Sequence, residues 1–382
     1  MTDLSKITCI EDLRLLAKRR VPRMFYDYAD SGSWTESTYR ANEADFQPIL
    51  FKQRVAINME GRSTATTMIG QPVSMPVAIA PTGLTGMQHA DGEIAAARAA
   101  KKFGIPFTLS TMSICSIEDV AQHAGQGFWF QLYVMRRDRD FIERLIDRAK
   151  AAGCTALVIT LDLQILGQRH KDIKNGLSTP PKPTIANLIN LATKPRWCLG
   201  MAGTPRRKFG NIHGHVKGVT DMSNLGAWTA DQFDPRLNWG DVEWIKKRWG
   251  GKIIIKGIME PEDARLAVDS GADALIVSNH GGRQLDGAPS AITALPAIVD
   301  AVGQQIEVHM DSGIRSGQDV LKAWAVGARG TYIGRAFLWG LGAAGEAGVT
   351  KALQIIHKEL DTTMAFCGHT KIGTVDKSIL RP

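Results

Sequence analysis

The sequence predicts an α/β fold, a (β/α)8 barrel of the TIM type, with an N-terminal helical segment and a long insertion after the fourth strand. Between residues 75 and 333, eight short apolar runs alternate with helix-like stretches, which is the pattern of successive βαβ units. Nearly every run ends in polar side chains, and barrel active sites stand at the carboxyl ends of the strands. An open doubly wound sheet would share the alternation, but no Gly-x-Gly-x-x-Gly follows the first run, which favours the barrel.

Each strand is predicted from a short aliphatic or aromatic run bounded by turn residues. The strands are expected at 75–80, 106–109, 128–133, 156–159, 252–255, 274–277, 306–310 and 330–333. Helices are expected at 10–20, 92–103, 139–152 and 261–270, with one or two more from residue 341 onward. Ser116 and Asp119 have capping-box spacing and predict another helix start. The first 70 residues or so are expected to be helical and irregular.

The composition, 44% hydrophobic and 22% charged, is that of a soluble globular protein. We expect one domain, 1–382, with an insertion at about 163–240. No stretch approaches the about 20 apolar residues of a membrane span, and the N-terminus lacks a signal-peptide pattern. Five cysteines without paired spacing predict reduced thiols in a cytosolic protein and no metal site. The net charge of +8 would suit nucleic acid, anionic lipid or acidic metabolites, but no basic-aromatic module supports the first.

One stretch, 278–286 (SNHGGRQLD), follows the predicted strand at 274–277 and carries candidate catalytic groups. His280 is a proton acceptor whose ordinary pKa lies near neutrality. Arg283 offers a planar fork that matches a carboxylate. A base and a carboxylate clamp on one loop predict chemistry on a small acid. The alternative is a structural histidine beside a surface arginine.

Other strand ends add to this site. Asp162 ends the fourth strand and is expected to face His280, where a carboxylate would raise the histidine pKa. Lys256 ends the fifth strand and would place a positive charge low in the site; alternatively, Asp162 and Lys256 pair with each other. Hydrogen-bonding side chains near other strand ends are Ser110, Gln131, Tyr133 and Thr160. After strands seven and eight, two glycine–arginine pairs predict a phosphate site: Gly313 with Arg315, and Gly334 with Arg335.

The stretch 278–286 resembles the signature of the FMN-dependent L-2-hydroxy acid oxidase/dehydrogenase family. Further runs of the chain resemble that family in the same order: 26–28, 81–83, 131–133, 256–257, 311–315 and 333–335. The similarity covers almost the whole chain. The runs 107–111 and 334–338 resemble the bacterial respiratory L-lactate dehydrogenases most. The resemblance implies oxidation of an L-2-hydroxy acid to the 2-oxo acid, L-lactate to pyruvate in the first place, with electrons passed to a quinone.

The resemblance also implies residue roles. His280 would remove the α-proton, or the hydroxyl proton if a hydride moves, and Asp162 would orient it. Lys256 would lie near the flavin N1–C2=O edge and stabilise the anionic reduced ring. The substrate would be bound by Tyr28, Tyr133, Arg169 and Arg283, and Tyr133 would also take part in catalysis. The isoalloxazine would contact Pro81, Thr82, Gly83, Ser110, Gln131, Thr160 and Ser278, and the phosphate end would take Asp311, Gly313, Arg315, Gly334 and Arg335.

Two departures from the family pattern bear on substrate and acceptor. Glycolate oxidases of the family carry Trp where Met112 stands, so glycolate is disfavoured. Their first-strand turn often ends in Ala, whereas Gly83 is typical of dehydrogenases that react poorly with oxygen. A mandelate-type dehydrogenase and an oxygen-using oxidase remain alternatives. From other classes, the alternatives are a barrel lyase with a Schiff base on Lys256 and a non-enzymatic nucleic-acid- or membrane-binding protein.

The insertion contains a basic segment, 178–217, without Asp or Glu and with interleaved apolar residues. Such a composition predicts peripheral contact with anionic lipid, on the cytoplasmic side of the inner membrane, and the alternative is a solvated active-site lid. Family members are often tetramers, so a homo-oligomer is expected. The basic residues of the segment are Lys182, Lys194, Arg196, Arg206, Arg207, Lys208 and Lys217.

Overall fold

The computed structural model describes residues 3–135, 139–177, 184–215 and 234–381. Its strands are β1 (Thr66–Met68), β2 (Gln71–Val73), β3 (Val77–Ile79), β4 (Thr108–Ser110), β5 (Trp129–Tyr133), β6 (Ala156–Thr160), β7 (Lys252–Ile258), β8 (Ala274–Val277), β9 (Glu307–Met310) and β10 (Gly330–Ile333). β3 to β10 form one parallel eight-stranded sheet in the order β3-β10-β9-β8-β7-β6-β5-β4. A bridge from Ile79 to Phe107 closes it. The predicted (β/α)8 barrel is confirmed.

Helices cover the barrel and extend it at the N-terminus. They are α1 (Ile10–Arg20), α2 (Arg23–Ala29), α3 (Ser37–Ala44), α4 (Thr85–Gln88), α5 (Gly92–Phe103), α6 (Ile117–Ala124), α7 (Arg139–Ala151), α8 (His170–Lys174), α9 (Ile185–Ala192), α10 (Pro195–Ala202), α11 (Trp239–Trp249), α12 (Pro261–Asp269), α13 (Ala291–Val302), α14 (Gly317–Val326) and α15 (Arg335–Phe366). The predicted capping box of α6 is confirmed, because the Ser116 side chain accepts from the Asp119 amide and Asp119 accepts from the Ser116 amide.

Both faces of the barrel sheet are buried, as a parallel sheet between helices requires. In β6, Val158 belongs to the inner cluster with Trp129 and Tyr332, while Leu157 and Ile159 belong to the outer cluster under the helices. This period of two explains why the strands read as unbroken apolar runs in the sequence. The polar residues are therefore concentrated at the strand ends.

Two elements differ from the prediction. The first 70 residues were expected to be only helical and irregular, but β1 and β2 pair as an antiparallel hairpin at 66–73. Their strands are short and of mixed polarity, so no apolar run marks them, yet Met68 is fully buried in the inner barrel cluster. The C-terminal helical region begins at Arg335 rather than at 341, and it breaks at Ala344 and Gly345, where the dihedral angles leave the helical region.

The insertion after β6 contributes α8, α9 and α10 before α11 returns the chain to the barrel. It packs on the N-terminal helices: the rings of Phe25 and Trp197 stack with centroids 5.4 Å apart, and Lys194 Nζ donates to the Arg19 carbonyl at 2.6 Å. No described helix is both long and apolar enough to cross a bilayer. Two of the basic residues of the predicted membrane segment, Lys182 and Lys217, lie outside the described residues.

Candidate active site

A cavity of about 760 Å3 lies at the carboxyl end of the barrel, within the size range of small-molecule and cofactor sites. The N-terminal segment and the insertion complete the wall that the strand ends begin. The predicted residues on this wall are Tyr28, Pro81, Thr82, Gly83, Tyr133, Arg169, Lys256, His280, Arg283, Asp311, Gly313, Arg315, Gly334 and Arg335. Of the remaining predicted residues, Ser110, Thr160, Asp162 and Ser278 lie at or just after the ends of β4, β6 and β8, and Gln131 lies in the middle of β5.

His280 and Asp162 form the pair that the sequence predicted. His280 Nδ1 lies 2.9 Å from Asp162 Oδ1 and 3.1 Å from Oδ2, while the His280 amide donates to Ser278 Oγ at 3.1 Å. Burial lowers the His280 pKa and Asp162 opposes this, and the net direction is downward. The carboxylate does act to raise the histidine pKa, as expected, but desolvation of the imidazolium outweighs it. The net downward shift favours the neutral imidazole, which is the form that can accept a proton.

Asp162 remains anionic in this setting. Burial would raise its pKa, but His280 and Lys256 outweigh burial and lower it. The Gln284 amide fixes the neighbouring backbone by donating to the Asp162 carbonyl at 2.7 Å. Gly257 makes room for the carboxylate: a Cβ there would lie 2.7 Å from Asp162 Cβ, and its φ of +107° also favours glycine.

Lys256 is 4% exposed and pairs with Asp311, not with Asp162. Its Nζ lies 3.0 Å from Asp311 Oδ2 and donates to Ser278 Oγ at 2.7 Å. Burial acts to lower the Lys256 pKa, but Asp311 and Asp162 outweigh it and raise it. An ammonium whose charged form is favoured by two carboxylates is a poor nucleophile, so this arrangement does not favour the Schiff-base lyase.

Arg283 is fixed by contacts of one guanidinium nitrogen, while another nitrogen, Nη2, keeps its donors. Its Nη1 donates to the carbonyls of Tyr28 and Ser31, the latter at 3.0 Å, and its guanidinium stacks over the Tyr28 ring at 4.6 Å. Its Nη2 is buried and has no hydrogen-bond partner among the described residues. A buried guanidinium donor without a partner is costly, so this atom marks a place for an anion.

Arg169 and Tyr133 stand beside Arg283. Burial, with the charge of Arg283, lowers the Arg169 pKa to about 10, so the arginine stays charged at neutral pH. Burial raises the Tyr133 pKa, and its phenol therefore stays protonated. Two cations and a phenol on one wall suit a substrate with a carboxylate next to a hydroxyl group.

The chain matches the model of the FMN-dependent dehydrogenase family over residues 17–382. This protein belongs to the FMN-dependent dehydrogenase family. An L-lactate dehydrogenase from Pseudomonas syringae pv. syringae is 45% identical over 98% of each chain. The crystal structure of the monotopic membrane protein (S)-mandelate dehydrogenase superposes with a TM-score of 0.93 at 36% identity, over 99% of this chain and 100% of that one. A mandelate oxidase structure gives 0.81 at 34% identity, over 96% of each chain.

Membership of the family confirms the resemblance and makes the protein a flavoenzyme with FMN as cofactor. The cavity fits such a group, because buried polar atoms around it lack partners among the described residues: Gln131 Nε2, Thr160 Oγ1 and Arg315 Nε. Gly313 has a φ of +102°, and a Cβ there would lie 1.9 Å from the Asn42 carbonyl oxygen, so only glycine fits this turn. FMN, when bound, supplies the two-electron acceptor for 2-hydroxy acid oxidation.

Two arginines near the predicted phosphate site are placed differently from each other. Arg315 Nη2 donates to Glu43 at 2.8 Å. Its buried Nε has no partner among the described residues and is available for a ligand. Arg335 donates from Nε to the Ala29 carbonyl at 2.9 Å and from Nη2 to the Ser31 carbonyl at 2.8 Å. These hydrogen bonds anchor the N-terminal segment to the barrel. The Gly334–Arg335 motif alone did not predict this structural role.

The sequence analysis missed several wall residues of the cavity. Asp172 is the carboxylate among them, and its place three residues after Arg169 was the signal that could have found it. The missed apolar wall residues have no distinguishing motif; they include Phe25, Leu163, Leu166, Ile173, Leu177 and Phe209.

Proposed function

We propose that this dehydrogenase oxidises L-lactate to pyruvate and passes the electrons to a membrane quinone. The observation that carries the substrate class is the unpartnered Arg283 Nη2 on the wall that also holds the His280–Asp162 pair. A carboxylate bound to Arg283 would satisfy that donor in a charge-assisted hydrogen bond, a contact of about 1.5–3 kcal/mol. The α-hydroxyl group would then lie beside the base.

In the proposed reaction, Arg283 and Arg169 bind the substrate carboxylate, and Tyr133 donates to the substrate oxygen. His280, neutral at physiological pH, takes one proton through its Nε2, because Nδ1 is committed to Asp162. Asp162 stabilises the imidazolium that results. Lys256 contributes a fixed positive charge on the same wall. The same residues serve whether the proton comes from carbon or from the hydroxyl group.

The L-lactate dehydrogenases among the relatives favour lactate as the substrate. The apolar part of the cavity wall, with Leu163 and Phe209 among the lining residues, supports (S)-mandelate as the second candidate. The test is the visible spectrum of the purified holoenzyme under nitrogen. Bleaching of the flavin band by L-lactate in preference to (S)-mandelate supports the proposal. Bleaching by mandelate alone makes the protein a mandelate-type dehydrogenase, and bleaching by neither overturns the substrate class.

Apolar side chains that line the cavity and are also exposed support a quinone as the electron acceptor. Leu166 and Ile173 line it with 39% and 49% of their surfaces exposed, so an apolar acceptor would meet an apolar entrance. Air admitted to the lactate-reduced enzyme should restore the flavin band slowly, and a short-chain quinone should restore it rapidly. Fast recovery in air with peroxide formation would identify an oxidase instead.

The membrane proposal is supported by α9 and α10. Their large apolar residues are strongly exposed: Ile185 at 78%, Leu188 at 60%, Ile189 at 64% and Leu199 at 73%. Isolated exposed apolar residues are ordinary, but a cluster marks an interaction surface. The (S)-mandelate dehydrogenase that superposes on this chain is itself a monotopic membrane protein. We infer peripheral contact through this surface, on the cytoplasmic side of the inner membrane.

Basic residues border these helices, and no Asp or Glu occurs in 184–215. Lys194 lies against Arg19 of the N-terminal region, and Arg196 is exposed. Arg206, although in the predicted basic segment, pairs with Asp91 and Asp119, so it belongs to internal packing. The positive charge that would face the lipid therefore comes from both the insertion and the end of α1.

Leu188→Ser and Leu199→Ser test the membrane contact, with Leu266→Ser on α12 as the matched control. Leu266 is also exposed, at 41%. We expect the first two variants to lose co-flotation with anionic vesicles and the control to keep it, with weaker binding at high salt. Unchanged flotation of all three would restore the alternative of a solvated lid.

We also propose a homo-oligomer. Further exposed apolar residues, far from α9 in sequence, support a protein contact: Leu50, Val55 and Phe366 are 55%, 77% and 59% exposed. Sedimentation equilibrium of the holoenzyme should give a mass above that of the 41.6 kDa chain. A monomer at micromolar concentration would contradict this.

A further inference from the structure

Asp172, in α8, is a buried carboxylate on the cavity wall that the mechanism above does not use. The residue is 9% exposed. Its Oδ1 is buried with no hydrogen-bond partner among the described residues, while Oδ2 lies 3.9 Å from Arg169 Nη1. Burying a carboxylate oxygen without a hydrogen bond costs free energy unless opposite charge lies nearby.

The charges that face Asp172 are those of Arg283, Arg169, Asp27 and Lys171. Two of these are engaged elsewhere. Lys171 pairs with Glu36 at 3.0 Å, and Asp27 accepts from Asn175 at 2.7 Å. Arg283 is fixed by the carbonyls of the N-terminal segment, as described above. Arg169 is therefore the cation whose position depends most on Asp172.

Arg169 is otherwise held weakly. The hydrogen bond from its Nε to the Arg283 carbonyl is long, at 3.4 Å, and the like charge of Arg283 repels it. Without a counter-charge, a flexible arginine beside another arginine would turn away from the cavity. Asp172 supplies that counter-charge from the first turn of α8, three residues after Arg169, which is the N-cap residue of that helix.

We propose that Asp172 is a positioning residue that keeps the Arg169 guanidinium in the cavity beside Arg283, ready for the substrate carboxylate. The inference rests on the proposed substrate class. The 3.9 Å separation exceeds a hydrogen bond, so Arg169 keeps its donors for the substrate while the ion pair sets its direction. Asp172 acts through Arg169 and touches no reacting atom.

A purely electrostatic role of Asp172 would have the opposite effect on anion binding. If Asp172 merely added negative charge to the site, it would repel an incoming carboxylate, and its removal would tighten anion binding. If it positions Arg169, its removal weakens anion binding. Propionate, which is lactate without the hydroxyl group, probes this binding step alone.

The experiment titrates propionate into FMN-loaded enzyme and follows the flavin absorbance. Asp172→Asn should raise the propionate Kd about tenfold, within the range of coupling between contacting residues, and lower kcat/KM for L-lactate in parallel. Asp172→Glu should recover part of both. In an Arg169→Ala background, Asp172→Asn should have no further effect on the Kd. FMN content and melting temperature identify misfolded variants, and Asp172→Ser replaces Asp172→Asn if the latter loses FMN.

Unchanged or tighter propionate binding by Asp172→Asn would overturn the proposal. Additive losses in the double variant would also overturn it, because a merely structural aspartate would act independently of Arg169. A wild-type enzyme that binds neither propionate nor L-lactate would overturn the proposed substrate class and this inference together. A wild-type enzyme that binds both, with Asp172→Asn indistinguishable from it, would overturn the inference alone.

Discussion

Among the described residues, the barrel carries two histidine–carboxylate pairs with nearly equal contact distances, one near each end. His280 lies 2.9 Å from Asp162 at the carboxyl end, and His309 lies 3.0 Å from Glu307 near the amino end. Their surroundings differ. The His280 side chain is 18% exposed and lines the cavity, whereas that of His309 is wholly buried.

Hydrogen bonding separates the two histidines. His309 uses both ring nitrogens, because Nδ1 also meets the Tyr332 hydroxyl at 3.1 Å. His280 uses only Nδ1 among the described residues, and its Nε2 is left for a substrate. A paired histidine is therefore a candidate base only where its second nitrogen meets a cavity, and a closed network such as that of His309 fixes structure.

The largest effect that this comparison predicts is at His280. His280→Gln should retain FMN and lower kcat by about 10²–10⁴-fold, the usual contribution of a general base. Anaerobic bleaching of the flavin band by L-lactate measures the step directly. Retained bleaching rates in a variant with full FMN content would remove His280 from the proposed mechanism.

Arg283→Lys should have the next largest effect. A lysine cannot keep both the carbonyl contacts and the spare donor of the planar guanidinium, so kcat/KM for L-lactate should fall about 10²-fold, as for a truncated buried charge pair. Arg329→Lys is the matched control, since Arg329 also stacks on an aromatic ring, Trp324 at 5.1 Å, away from the cavity. Equal kinetics for both variants would show that Arg283 does not bind the substrate.

Asp162→Asn tests the His280–Asp162 pair through the pH dependence of kcat/KM. In the wild type, kcat/KM should rise with pH to a plateau. The midpoint of the rise should lie below 6.5, because burial lowers the His280 pKa. Asp162 opposes that shift, so its neutralisation should move the midpoint to still lower pH, while kcat falls about tenfold or more because the imidazolium loses its partner. Glu307→Gln, at the other pair, is the control. A midpoint that rises in Asp162→Asn would contradict the assignment.

Much of this arrangement could be predicted because it is local in the sequence. The barrel strands are apolar runs followed at once by their functional side chains, and α5 has the predicted bounds, Gly92–Phe103. The hairpin of β1 and β2 lacks such a run, because its short strands are stabilised by packing against the barrel floor rather than by their own pattern.

Partner choice across the barrel could not be predicted in the same way. Thr160 and Lys256 are register partners on β6 and β7, so a pair between Asp162 and Lys256 was plausible, but Lys256 reaches Asp311 after β9. Which acid a lysine meets depends on the face of the strand, on side-chain length and on residues about 50 positions away. Likewise, the net His280 pKa depends on burial, which no motif encodes.

His309→Gln, the same change as at His280, should have the smallest effect on turnover. We expect kcat within about twofold of wild type, since general-base catalysis is not involved. Stability should fall by about 1–3 kcal/mol, because the Tyr332 hydroxyl and Glu307 lose a buried partner. Urea unfolding of the holoenzyme measures the loss. A large fall in kcat with unchanged stability would mean that the amino-end pair communicates with the cavity through Tyr332, whose side chain lies on both the His309 network and the cavity wall.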